Sequence, residues 1–407
     1  MSIFNFILTN ARWIVGAFLL TFFSSFGQTF FISLSAGEIR EEYGLGHGDF
    51  GFLYMIATLA SALTLPWFGK IVDRFSPARV ALIIIPMLAV GTLGMAFSTH
   101  IAALVLTIYL LRLFGQAMMT QNALTATARW FVASRGKAIS IVTLGHNAGE
   151  AVIPFIFVAA AATFGWRNAW IGGAAILLIG ALPIIYMLIA KEREPQASDV
   201  VGQSIETRSW TRAEVLNDPL FWLLVMGILA PSFIGTSIFF HQVYLVELRD
   251  WSLSVFASAF SVMAVTTICF TLIAGALVDR YSAKALLPFF LLPLSACCFV
   301  LAIFEAQWSA FVFMGLMGIS YGFSSTLFGA LWPEIYGTKY LGSIRAVTVA
   351  MMVFGTAAGP GLTGWLIDIG VPYSNQIMTM AVYCLFAAGI MFVASRKLMA
   401  RSEKQIS

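Results

Sequence analysis

The sequence predicts an all-α membrane protein of twelve transmembrane helices, arranged as two pseudo-symmetric six-helix bundles. Three observations carry this. Of 407 residues, 60% are hydrophobic and 10% charged, whereas soluble domains lie near ~45–50% apolar and ~25% charged. A soluble fold of this composition would show water large apolar patches, and disordered chains are poor in apolar residues. Apolar runs, broken by Gly, Pro or charge clusters, number twelve, and a helix needs ~20 residues to cross hydrocarbon. A short signature after the second run recurs after the eighth, half a chain later.

The first run, 13–34, is as long as a true span and carries no convincing A-x-A cleavage site, so it reads as a retained helix. Runs follow at 48–69, 79–98, 101–131, 137–164 and 166–190, completing a first half over 1–190. The polar stretch 191–218 reads as a cytoplasmic linker and a plain tether. The second half, 219–407, holds runs at 219–247, 254–278, 284–304, 308–335, 342–367 and 374–395, then a basic tail. The runs are continuous and lack the ~10-residue alternation of barrel strands.

Basic residues orient the spans. With the N-terminus in the cytoplasm, the inner loops hold nearly every Lys and Arg, from Arg12 and the Lys70–Arg74–Arg79 group to the tail with Arg396, Lys397, Arg401 and Lys404. The outer loops hold only Arg40, Arg167 and Arg249. This is a strong positive-inside bias, and the even span count puts both termini in the cytoplasm. The tail reads as an orientation signal and a lipid-headgroup contact. Cys269, Cys297, Cys298 and Cys384 lie in apolar runs without metal or redox spacing and read as small core hydrophobes.

Gly69-Lys-Ile-Val-Asp73-Arg74-Phe, continuing to Arg79, matches Gly275-Ala-Leu-Val-Asp279-Arg280-Tyr. A second pair is Gly145-x-x-x-Gly149 against Gly355-x-x-x-Gly359. Gly69 and Gly275 remove a side chain where helix ends approach closely. Asp73 and Asp279 place a carboxylate just beyond a helix end, where it meets the positive end of a neighbouring helix or a nearby arginine. Two six-span repeats are an architecture of secondary transporters.

These loops resemble the signature of the major facilitator superfamily. Arg112 in LLRLFGQ resembles its second motif, and GTAAGPGLTG, with Gly355, Gly359, Pro360 and Gly364, resembles its Gly-Pro motif. The matching stretch GHNAGEAVIP carries Glu150 where the drug-antiporter pattern has proline. ARWF…RGKA and FGWRNAW look closest to the monocarboxylate and oxalate/formate-type branch. The resemblance implies alternating access, with Asp73 and Asp279 as gate latches. It also implies a cavity lined by the first and fourth helices of each half, making Gln28 and Tyr321 candidate contacts.

Ionisable groups at membrane depth are costly and need a reason. Arg112 and Glu150 fall at similar depths, ~17 and ~20 Å into their spans. His146 shares the Glu150 face and Asn147 flanks it. In one reading Glu150 carries a proton and the planar fork of Arg112 holds an anionic substrate group. In the other the two form a buried structural pair. His241, toward the outer end of span seven, either lines the cavity mouth or is an amphipathic anchor.

No P-loop, metal motif or nucleophile elbow is present in the sequence. The expectation is therefore a transporter and not an enzyme, without cofactor or metal, driven by the proton gradient and taking up a small, monocarboxylate-like organic anion. Export or exchange of an amphipathic compound is the alternative. The partners expected are the substrate and the lipid bilayer, not nucleic acid, for a monomer in a bacterial inner membrane.

Overall fold

The computed structural model describes the backbone of residues 3–131, 135–191, 193, 210–337 and 340–406. Among the described residues there is no strand. Ten of the described helices are long and apolar enough to cross a membrane. The first expected span is instead a pair, Ala11–Gly27 and Thr29–Tyr43, bent by 48°. The ninth is short, Ala283–Leu286 and then Leu292–Ile303 after a non-helical turn. Pro293 sits in the first turn of that second piece, where its missing N–H costs no helical bond.

The chain forms two compact units. The first comprises Met1–Gly46 and Phe52–Gln203, the second His47–Gly51 and Ser204–Ser407. Each repeats one packing device. In the first unit, span five (Arg135–Phe164) lays Gly145 and Gly149 against span one, where a Cβ on either would meet the Phe18 or Phe22 carbonyl. In the second, span eleven (Leu341–Asp368) lays Gly355 and Gly359 against span seven (Pro219–Phe240), at Leu229 and Phe233. Helices in lipid gain little from hydrophobicity when they pair, so close backbone approach supplies the contact. Gly149→Val is expected to lower stability by roughly 1–3 kcal/mol through overpacking. A thermal-unfolding series in detergent checks this, with Gly180→Ala, whose site has nothing within 4 Å, left unchanged.

Two of the three arginines expected outside, Arg167 and Arg249, are helix caps. Arg167 donates to the Ala96 and Ser98 carbonyls at the end of span three (Pro77–Phe97) and pairs with Glu42. Arg249 donates to the Leu301 and Phe304 carbonyls at the end of span nine. A cation at a helix C-terminus meets orphaned carbonyls and the negative end of the dipole.

The tail corrects one expectation. Arg401 is not free for headgroups: its two terminal nitrogens donate to the buried Asp218 carboxylate at 2.7 and 3.0 Å. Asp218 also accepts from the Tyr336 hydroxyl (3.1 Å) and caps span seven at the Leu220 N–H (3.1 Å). Trp210, at the end of the linker, lies under the Arg401 guanidinium and donates its backbone N–H to the Tyr336 carbonyl. The linker end is thus clasped and is more than a tether. Burial alone would raise the Asp218 carboxyl. The bonds from Arg401, Leu220 and Tyr336 outweigh it and hold the group below the usual carboxylate range. A depressed folded-state value means stabilisation that is full above the ordinary value of about 3.9 and is lost as pH falls through the folded one. Asp218→Asn is expected to cost roughly 1–3 kcal/mol at neutral pH. In thermal-unfolding scans the gap between wild type and variant should narrow below about pH 4.

Candidate functional site

The site begins at the break in span one. Ser24–Gly27 forms a tight 3-10 turn, and Gln28 is extended at φ −83°, ψ 152° before the helix resumes at Thr29. Hydroxyls here bond the local backbone, Ser24 to the Thr21 carbonyl (2.6 Å) and Ser33 to the Thr29 carbonyl (2.8 Å). Such bonds compete with the helical ladder.

Span four answers the break with one of its own. Between Ile101–Leu110 and Thr120–Trp130 its middle, Leu111–Met119, is wound as a π-helix. Such segments concentrate at functional sites. Gly27 and Gly115 face each other, and a Cβ on Gly115 would stand 2.7 Å from the Gly27 backbone. Arg112 lies in the π segment and is 2% exposed. Its Nη1 donates to the Gly27 carbonyl and to the Thr29 hydroxyl, both at 3.3 Å. Thr29 shares a hydrogen bond of 2.7 Å with the Tyr54 hydroxyl, and the guanidinium sits 5.4 Å from the Tyr54 ring centroid. Arg112 Nε, Ser25 Oγ and Thr58 Oγ1 are buried without a partner. Unsatisfied buried polar atoms are rare and call for an explanation, such as water or a ligand group.

Glu150 follows Gly149 on span five and is buried. Among the described residues the buried carboxylates are Glu150 and Asp218. Arg401 pairs with Asp218. Among the described residues Glu150 has no such cation, and Arg112 and Glu150 form no ion pair. The buried structural pair is therefore not what holds either group. His146 and Asn147, a turn earlier, are half-buried, and Gln28 is buried in the break.

In the second unit, His241 is buried and its Nε2 lies 3.1 Å from the Pro360 carbonyl, among the rings of Phe240 and Tyr373. Tyr321 lies over Gly235 of span seven. Within the same unit, Asp368 accepts from the His47 and Gly48 N–H groups at 3.0 and 2.7 Å, and Gly364 packs on that turn. Sequence reasoning singled out Thr29 with the polar run of span one, but not Asp368 or Tyr54.

The loop signatures behave unequally. A Cβ on Gly69 would meet the Gln121 side chain at 3.0 Å, whereas Gly275 has nothing within 4 Å, so close approach explains only the first. Arg74, Arg79 and Arg280 are exposed, with Arg280 over the Tyr281 ring. The side chains of Asp73 and Asp279 lie outside the described residues. Cys269 is exposed, unlike the other three cysteines, and so is not a core hydrophobe.

Apolar spans, two compact units and a broken span at a buried arginine make up a multi-pass membrane protein. The chain belongs to the Major Facilitator Superfamily, which it matches over residues 17–360 and 241–406. It is 27% identical over 194 residues to a probable sulfoacetate transporter of Cupriavidus necator, covering 47% of this chain and 44% of that protein. A riboflavin transporter of Trypanosoma cruzi is 25% identical, over 46% of this chain and 40% of its own length. A fujikurins efflux protein of Gibberella fujikuroi is 25% identical, over 40% and 33%. The matches thus span less than half of each relative. Among solved structures, a bacterial homologue of the human lysosomal transporter Spinster, inward-facing and unoccupied, overlays with a TM-score of 0.75 at 17% identity, covering 96% of this chain and 98% of that one. The nucleoside transporter NupG gives 0.66 at 15%, covering 95% and 99%. At these identities the likeness is one of fold.

Proposed function

We propose that the protein is a proton-coupled importer of a small, monocarboxylate-like organic anion, working by alternating access. The observation that carries this is Arg112, buried at the break in span one with its Nε unpartnered. A guanidinium held there by Gly27 and Thr29 keeps donors for an anionic group. Glu150, a buried carboxyl of the same unit that makes no ion pair among the described residues, is the proton carrier. The resemblance to a sulfoacetate transporter supports the reading, since sulfoacetate is a small organic anion. In this reading both termini are cytoplasmic, which the positive-inside bias supports, and the membrane is a bacterial inner one. The Gly-Asp-Arg loops act as gate latches on that side, and the protein works as a monomer without a cofactor.

The efflux relative favours a second reading, export or exchange of an amphipathic compound. Proteoliposomes with an imposed pH gradient and a panel of carboxylates and sulfonates separate the two. Gradient-dependent accumulation of one of these anions is the expected result. Flux of amphipathic compounds with none of the anions would select the second reading.

A further inference from the structure

The first unit holds a cleft of about 570 Å³ between spans one, five and six, span six starting at Trp166–Ala175. That volume falls within the range of about 300–1,000 Å³ typical of small-molecule sites. Its walls are almost wholly hydrocarbon. The floor is Phe26, Phe31 and Phe157, all buried. Phe31 meets Phe26 at 4.9 Å and Phe157 at 4.8 Å edge-on, and Trp170 at 4.9 Å behind them. Edge-to-face ring pairs at these separations are favourable and fix the floor's shape. Gly172 has nothing within 4 Å of where a Cβ would stand, and a Cβ on Gly173 would come within 2.6 Å of Phe26. The two glycines create the space. The one polar side chain at the cleft, Asn168, donates its amide to the Phe164 carbonyl at 2.8 Å.

We propose that this cleft is a lipid site that seats one acyl chain of a bilayer phospholipid against the break in span one. Its rim is continuous with the lipid-facing surface: Ile156, Phe164 and Ile176 are 56%, 68% and 50% exposed. A hydrocarbon chain entering from the bilayer meets no unsatisfied polar group, and any polar ligand would lose its hydrogen bonds there. Phe26 and Phe31 flank Gln28, so the chain props the two halves of span one apart at the residues that Arg112 holds.

The test uses the full chain in nanodiscs of phosphatidylcholine brominated along one acyl chain. The Trp170 signal is the wild-type emission minus that of Trp170→Phe. Trp170 is fully buried, yet its signal is expected to be quenched. Gly172→Leu, which fills the cleft, is expected to restore it severalfold, while Trp67 and Trp365, both exposed, stay quenched. An unquenched Trp170 in wild type, or quenching unchanged by Gly172→Leu, overturns the proposal. Should Trp170→Phe not fold, wild-type protein is cross-linked with a phosphatidylcholine carrying a diazirine in its chain. Label on the buried Phe26, Phe31 or Phe157 supports the site, and label confined to exposed positions overturns it.

Discussion

Glu150→Gln is expected to abolish accumulation driven by a pH gradient in proteoliposomes, down to the protein-free background. The substitution keeps size and polarity and removes only the capacity to carry a proton. Glu150 has no cation to orphan, so the variant should elute and unfold as wild type does. Substrate counterflow at equal pH on both sides, which needs alternating access but no net proton movement, should persist. Loss of both activities would assign Glu150 to substrate binding. Survival of gradient-driven accumulation would remove it from coupling altogether. The distinction rests on the missing partner: a carboxylate in a structural pair would lose stability with the same change, and this one should not.

What could be read from the sequence and what could not follow different physics. The twelve apolar runs were legible because solvation by lipid is written in composition, residue by residue. The break in span one was not, because 13–34 reads as one apolar run whose hints are the Ser24-Ser25 pair and Gly27-Gln28-Thr29. Span ten (Trp308–Tyr336) carries Gly318-x-x-x-Gly322, which packs on span eight (Leu253–Tyr281) at Met263 and Thr267. The signal was visible there but had no repeat partner to draw attention to it. Asp218 and Arg401 are 183 positions apart, and no local pattern joins them. The expected contact between Arg112 and Glu150 came from equal depth alone. Depth fixes the height of a side chain in a bundle and leaves its direction around the helix open, and at that height Arg112 turned to span one.

Arg112 is where stability and transport are expected to part. Arg112→Ala removes the donor to the Gly27 carbonyl and the Thr29 hydroxyl. The Gly27 carbonyl closes a 3-10 turn, whereas the Thr29 hydroxyl keeps its bond with the Tyr54 hydroxyl. An unsatisfied buried group costs about 1–3 kcal/mol, so the variant should lose roughly that much at the Gly27 carbonyl and unfold at visibly lower temperature in detergent. It should also lose transport, an outcome that both a capping and a substrate-binding role foresee. Arg112→Lys separates them. A lysine ammonium is a point donor that reaches one or both of the same acceptors, so most of the lost stability should return. It lacks the planar fork and has no nitrogen in the place of Nε, the atom left free for an anion. If Arg112 only ties the two halves of span one together, transport recovers in step with thermal stability. If it also grips the substrate, the lysine variant regains most of the stability while its apparent affinity for the anion stays depressed at least ~10-fold, the effect of ~1.4 kcal/mol. The unpartnered Nε favours the second outcome, because a purely structural arginine would be expected to use all of its buried donors.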